Sequence, residues 1–201
     1  MKKIILVLLV ISFFSCEKKY HWSPSESAPK HYPAKILQNY YQYKNGKGIN
    51  IYGRTAGGSG WGLPGGVYSG RPKFKPVPDS LFVHWFSAAE GKFYKGAFKL
   101  PEKKIDSALN AGSVYIYTGF APHGRVVVFT GYGFQTARFR AKEDTTLTPR
   151  KFLLNATNLK NEEEFEITYG RPLYTNQEII MDYMSKEDSL YVRKHGIPDK
   201  W

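Results

Sequence analysis

Few side chains in this chain carry the chemistry of a reaction, and their spacing limits what they can do. Of five histidines, His21 and His31 fall in an N-terminal stretch without apolar periodicity, and His195 ends a C-terminal helical segment. That leaves His84 and His123 among strand-like and turn-like segments. No histidine pair stands at metal-ligand spacing. There is no HExxH, no cysteine cluster and no DxDxDG loop, so zinc and calcium sites have no support and no cofactor is expected. His84, Glu90 and His123, with Ser87 between the first two, are the groups from which an acid–base or nucleophilic site would be assembled. A GxSxG elbow is missing, and His84 shares a strand face with Phe82 and Phe86, the setting of a packed core histidine. The three are therefore candidate ligand contacts, and no catalytic residue is assigned.

A second group of candidates lies in GRTAGGSGWGLPGGVYSGRPKFKPVPDS, residues 53–80. Gly60, Gly62 and Gly65 have the spacing of a dinucleotide-binding fingerprint. That loop works only where it opens a helix facing pyrophosphate, and Pro64, Pro72, Pro76 and Pro78 forbid one here. The stretch reads as a long surface loop in which Trp61 and Tyr68 offer stacking faces to a ligand.

Cys16 is the only thiol. It follows Lys2 and Lys3, an apolar run from Ile4 to Ile11, and Ser12-Phe13-Phe14-Ser15, which is the outline of a secretory leader cut before a lipid-modified cysteine. Phe13 stands where Leu, Val or Ile is usual in such leaders. The alternative role of a lone cysteine is as a small buried hydrophobe. The leader reading divides the chain into a signal peptide over 1–15, a flexible tether over 16–33 and a single β-rich domain over 34–201. No disulfide is then available, so stability comes from packing. Acyl chains on Cys16 would hold the protein to a membrane without crossing it. Glu17 and Lys18 follow the cysteine with no acidic cluster, which favours an outer-membrane anchor facing the periplasm.

The formal charge is +12, from 29 Lys+Arg against 17 Asp+Glu. For an exported protein this points to phosphate-bearing lipid, acidic glycan or acidic protein, and nucleic acid is not an expected partner. Such charge also serves solubility alone. Four triplets, Asp79-Ser80-Leu81, Asp106-Ser107-Ala108, Asp144-Thr145-Thr146 and Asp188-Ser189-Leu190, resemble a bacterial O-glycosylation acceptor, although Asp and Ser also gather at helix caps and turns.

The elements that must position these groups are mostly strands. ILQNYYQYKNGKGINIY reads as a hairpin about Asn45-Gly46, and LFVHWFS with KFYKGAFKL as a second pair joined by the turn from Ala88 to Gly91. Pro101 and Gly112 bound a short helix with Ile105 and Leu109 turned to the sheet. SVYIYTGF, RVVVFTGYG, FQTARFRA and EFEITY continue the strand pattern. Thr175 with Glu178, and Ser185 with Asp188, begin two terminal helices, the second ending at Gly196 and Pro198. Short connections argue for antiparallel neighbours. The expected class is α+β, mainly antiparallel β in a meander or sandwich-like sheet, with a short mid-chain helix and two C-terminal helices. Most of the 15 tyrosines and 13 phenylalanines are then core, and any exposed rings among Lys and Arg suit a sugar or protein contact.

The stretch PDSLFVHWFSAAEGKFYKGAFKLPEKKI, followed by GFAPHGRVVVFTGYG, resembles the bacterial lipoproteins grouped as domain of unknown function 2931, as do the leader and a WSxSESAPKxYP-like segment. The likeness covers Trp22 to about Arg140. Its motifs are structural in type, so it transfers no active-site residue. It implies an exported, lipid-anchored domain of unsettled biochemical role, and similar lipoproteins are associated with protection against toxic secreted effectors. The leading expectation is a non-catalytic module that binds an envelope protein or glycan. Its alternatives are an immunity lipoprotein neutralising an effector, an envelope hydrolase using His84, Glu90 or His123, and a purely structural lipoprotein.

Overall fold

Alternation along the strands decides which faces meet. The computed structural model describes residues 17–51, 55–57, 60–61, 73–131, 150–155, 157–158 and 184–200. Within them the strands are β1 (Lys19–Ser27), β2 (Ala34–Gln42), β3 (Gly48–Ile51), β4 (Thr55–Ala56), β5 (Lys73–Pro76), β6 (Ser80–Ser87), β7 (Lys92–Lys99), β8 (Tyr115–Ala121), β9 (Arg125–Gly131), β10 (Arg150–Asn155) and β11 (Thr157–Asn158); the helices are α1 (Glu102–Asn110) and α2 (Lys186–His195). One sheet has the order β10-β9-β8-β1-β5. The other runs β11-β7-β6-β2-β3, with β4 also paired to β2.

In the second sheet β6 pairs with β7 along its whole length, from Ser80↔Lys99 to Ser87↔Lys92. Leu81, Val83 and Trp85 are buried on one face, opposite Phe98, Gly96 and Tyr94. Period-two alternation thus gives β6 a core face, while Lys95 and Lys99 of β7 stay exposed. The β2–β3 hairpin turns where Asn45-Gly46 predicts: Gly46 has φ +77°, and its N–H donates to the Tyr43 carbonyl at 2.9 Å. A bulge between Ile36 and Gln38 shifts the β2–β6 register.

The first sheet corrects the tether. Residues 19–27, expected within a leash over 16–33, form a nine-residue strand in the body of the sheet. β1 pairs antiparallel with β5, from Lys19↔Pro76 to Trp22↔Lys73, and parallel with β8, from Ser23↔Tyr115 to Ser27↔Gly119. Its serines and proline mimic a linker. They are buried because both faces of β1 are covered: Ser23, Ser25 and Ser27 are each at most 2% exposed, and the Ser27 hydroxyl donates to the Gly60 carbonyl at 3.2 Å. The expected simple meander is corrected by the same pair. A parallel junction needs a long connection, and here the connection runs through β2 to β7 and α1. The surface loop expected over 53–80 likewise contributes two strands, β4 and β5.

The sheets face each other across one core, in which Trp22, Tyr41, Trp85, Phe120, Ile36 and Ile116 are the large side chains. The molecule is α+β with a sandwich of mixed but mostly antiparallel sheets. A polar seam crosses the core. The hydroxyls of Tyr41 and Thr118 lie 2.6 Å apart, and Thr118 donates to Asn39 Oδ1 at 2.9 Å, so a hydrogen-bonded chain ties β2 of one sheet to β8 of the other. Glu26, opposite Thr118 in the β1–β8 register, is buried as well.

Helix α1 forms where Pro101 opens it and Gly112, at φ +99°, closes it, and it buries Ile105, Ala108 and Leu109. Tyr20 of β1 donates to Asp106 at 2.6 Å, and Lys18 to Asn110 at 3.0 Å. Helix α2 begins with the expected Ser185 cap, which accepts from the Asp188 N–H at 3.0 Å, and ends at Gly196. It docks on the turn after β1: the His31 ring stacks on Tyr191 at 4.0 Å and meets Asp188 at 2.7 Å, and Tyr32 donates to the Gly196 carbonyl at 2.6 Å. The expected strands FQTARFRA and EFEITY lie outside the described residues, as does the body of the other C-terminal helix.

Candidate functional site

Two hairpin ends, one from each sheet, bring chemistry-bearing residues together. The β6–β7 turn spans Ala88 to Gly91, and Gly91 takes φ +64° to close it. The β8–β9 turn spans Pro122 to Gly124, and there both His123 (φ +62°) and Gly124 (φ +67°) are left-handed. A non-glycine residue in that region costs about 1 kcal/mol or more unless local bonds hold it. His123 has such bonds. Its backbone N–H donates to Glu90 Oε2 at 3.0 Å, and its Nδ1 lies 3.4 Å from Glu90 Oε1. Tyr94 donates to the same Oε1 at 2.9 Å.

The Glu90 carboxylate is only 4% exposed, whereas the His123 side chain is 41% exposed. A buried acid thus fixes an open imidazole. With Nδ1 turned to Glu90, the Nε2 edge is left for a ligand. The Tyr94 phenol is pushed up, first by burial and then by its hydrogen bond to Glu90, so it stays a donor and is a poor base.

The other candidates are placed differently. His84 is 4% exposed and edge-on to Phe93 at 6.4 Å, beside the cluster of Phe86, Phe93 and Met184. Ser87 is buried at the end of β6. The Ser87 carbonyl accepts from the Glu90 N–H at 3.3 Å within the turn. Trp61 is half-buried and packs edge-on against Phe129 at 5.5 Å. It also closes over Gly119, where an added Cβ would come within 2.9 Å of the indole. Trp61 covers the outer face of the first sheet and so offers less ring to a ligand than a free loop would. Tyr68 lies outside the described residues. Among the described residues, no three His, Cys, Asp or Glu side chains gather as a metal site.

Tyr94 was missed as a member of this cluster. The available signal was its position four residues after Glu90 across a tight turn. What no local pattern carries is the meeting of the Glu90 and His123 turns, 33 residues apart. Replacing Glu90 by Ala strands the Tyr94 hydroxyl and the His123 N–H, and is expected to cost about 1–3 kcal/mol. His123→Gly should cost less, because relief of the left-handed backbone offsets the lost contact. Urea unfolding of both variants measures this; equal, negligible losses would show that the carboxylate does not join the hairpins.

A family model described as Protein of unknown function (DUF2931) matches residues 13–199. No curated protein and no solved structure matches the chain.

Proposed function

Taking as premise that the chain belongs to the DUF2931 family, we propose that it is a lipid-anchored envelope protein that acts as a non-catalytic binding module for an envelope protein or glycan. The observation that carries the reading is the His123 imidazole, held open at a hairpin end by the buried Glu90. Both carboxylate oxygens of Glu90 are occupied by donors, and the neighbouring hydroxyl, Tyr94, itself donates to Glu90. That arrangement presents a fixed polar group and, among the described residues, occupies both carboxylate oxygens with donors other than a nucleophile. The formal charge of +12 makes acidic groups the natural partners.

The anchor in this reading is an acylated Cys16, with the outer membrane as its site and the periplasm as the compartment it faces. Cys16→Ser is expected to move the protein from the membrane fraction to the soluble or unprocessed fraction, and the wild-type N-terminal peptide should carry acyl mass. An unmodified cysteine in wild-type protein would remove the anchor from the proposal.

For the module, the full chain is passed through envelope extracts beside His123→Ala. Retention of one protein or glycan that His123→Ala loses supports the reading, and retention indifferent to His123 refutes this location for the site. A second reading, an envelope hydrolase, is favoured by the carboxylate-oriented histidine alone. It requires turnover of an envelope lipid or glycan that Glu90→Gln and His123→Ala both abolish.

A further inference from the structure

Resting on that anchor, we propose that the β1–β5 edge of the first sheet is a membrane-contact surface, with Phe74 seated in the lipid headgroup layer and Lys18 and Lys19 against lipid phosphates. Phe74 is 71% exposed, the most open of the large hydrophobic residues described. It lies on β5, the last strand in the described order of its sheet. Among the described residues its ring meets that of His21, its cross-strand partner, in a T-shaped pair at 5.0 Å. A phenylalanine this exposed at a sheet edge is unfavourable in water and suited to an apolar–polar boundary.

Covalent geometry names the occupant. Two residues, Glu17 and Lys18, separate Cys16 from Lys19, the first residue of β1, so the Cys16 backbone lies at most about 11 Å along the chain from this edge. With the tether replaced by a strand, acylation would bring this end of the sheet to the bilayer surface and leave it no leash. The charges agree. Lys18 and Lys19 are exposed at the strand's start, as is Glu17, the single acid between residues 17 and 22. Lys18 is steadied by Asn110 and by the Tyr20 ring. Lys75, the neighbour of Phe74, turns inward to the Trp22 carbonyl and lies 5.2 Å over the Trp22 ring, which keeps β5 flat against β1. Cations at a strand end beside an exposed aromatic side chain are complementary to anionic lipid phosphate and the interface beneath it.

The opposite end of the molecule supplies the control. β1 runs about 26 Å from Lys19 to Ser27, and α2 docks on the turn beyond it through His31 and Tyr32. Leu190 on α2 is 56% exposed and is equally apolar, but lies far from Cys16. Phe74→Cys and Leu190→Cys are made in the full chain, purified as processed protein, spin-labelled and placed in vesicles of three parts phosphatidylethanolamine to one part phosphatidylglycerol. N-terminal mass is read on the same samples. The expected result is that the label at 74 shows high oxygen and low nickel-chelate accessibility, several-fold different from the label at 190, and that Lys18→Glu with Lys19→Glu reduces the difference. Equal, water-like accessibility at both positions in acylated protein overturns the surface while leaving the anchor intact. If the mass shows no acyl chain, the anchor fails instead. The unacylated protein added to the same vesicles then reads the edge directly: burial of the label at 74 upholds it, and failure to bind overturns it.

Discussion

Raising the pH from neutrality to about 12 is expected to unfold the protein cooperatively, because its buried phenols cannot ionise in place. Tyr41 lies in the main core, wholly buried, and Tyr117 lies 2% exposed beneath Trp61 and against Phe129. Burial pushes both upward. Tyr43 is pushed up to about 12 by burial, and Tyr94 rises by burial and by its bond to Glu90. In the unfolded chain a tyrosine ionises near about 10. Below that pH both states hold the proton and these groups add no pH dependence. Above it the unfolded chain has lost a proton that the folded chain keeps, so stability falls by about 1.4 kcal/mol per unit for each such phenol. Three or four acting together remove about 4–5 kcal/mol per unit, against a total stability of about 5–15 kcal/mol. The window is therefore pH 10 to 12, bounded by the unfolded value and by that of Tyr43. Phenolate absorbance followed together with near-ultraviolet circular dichroism tests it. The two signals should move as one for the buried class. Ionisation of every tyrosine near pH 10 with the aromatic dichroism intact would contradict this burial.

Trp22→Ala is expected to be the most damaging single truncation in the N-terminal strand, at about 3–5 kcal/mol. The indole is fully buried and donates to the Pro76 carbonyl at 3.0 Å. Tyr41 and Tyr43 meet it edge-on at 5.8 and 6.5 Å, and Lys75 lies over its ring. Its removal leaves a cavity where β1, β5 and the second sheet converge, and it deprives the β5 carbonyl of its donor. A midpoint fall of roughly 6–20 °C follows for a domain of this size. The experiment decides between two pictures of residues 17–33, since loss of a tryptophan from a leash would leave the melting temperature unchanged.

The parts legible in the sequence are those fixed by neighbours. Asn45-Gly46 dictates its turn, Pro101 and Gly112 bracket α1, and Ser185 with Asp188 begins α2 through a contact three residues long. β6 with β7, and β8 with β9, follow from alternation and short turns. β1 was opaque because burial on both faces lets serine and proline occupy a strand, and because its partners lie on β5 and β8, distant in sequence. β5, with Phe74 between lysines and before prolines, has the composition of a loop and becomes a strand only by lying along β1. The candidate site was legible as residue types and illegible as a site. Glu90 and His123 were both named, but their meeting depends on two sheets stacking so that one hairpin end from each shares a rim. His84, named as a ligand contact although its strand face has the setting of a packed histidine, lies buried beside Phe93, and Trp61, also named as a ligand contact, packs its ring edge-on with Phe129.

The parallel junction between β1 and β8 orders the assembly of the molecule in time. The pair Ser23↔Tyr115 spans nearly half of the 201 residues, so the earliest described strand to leave the ribosome must wait for one made much later. β2, β3, β6 and β7 pair with near neighbours and can zip together meanwhile. Closing the long loop is the slow, entropy-limited event, and folding rates fall as such distant pairings dominate. The strand closest to Cys16 is thus among the earliest made and the latest to settle.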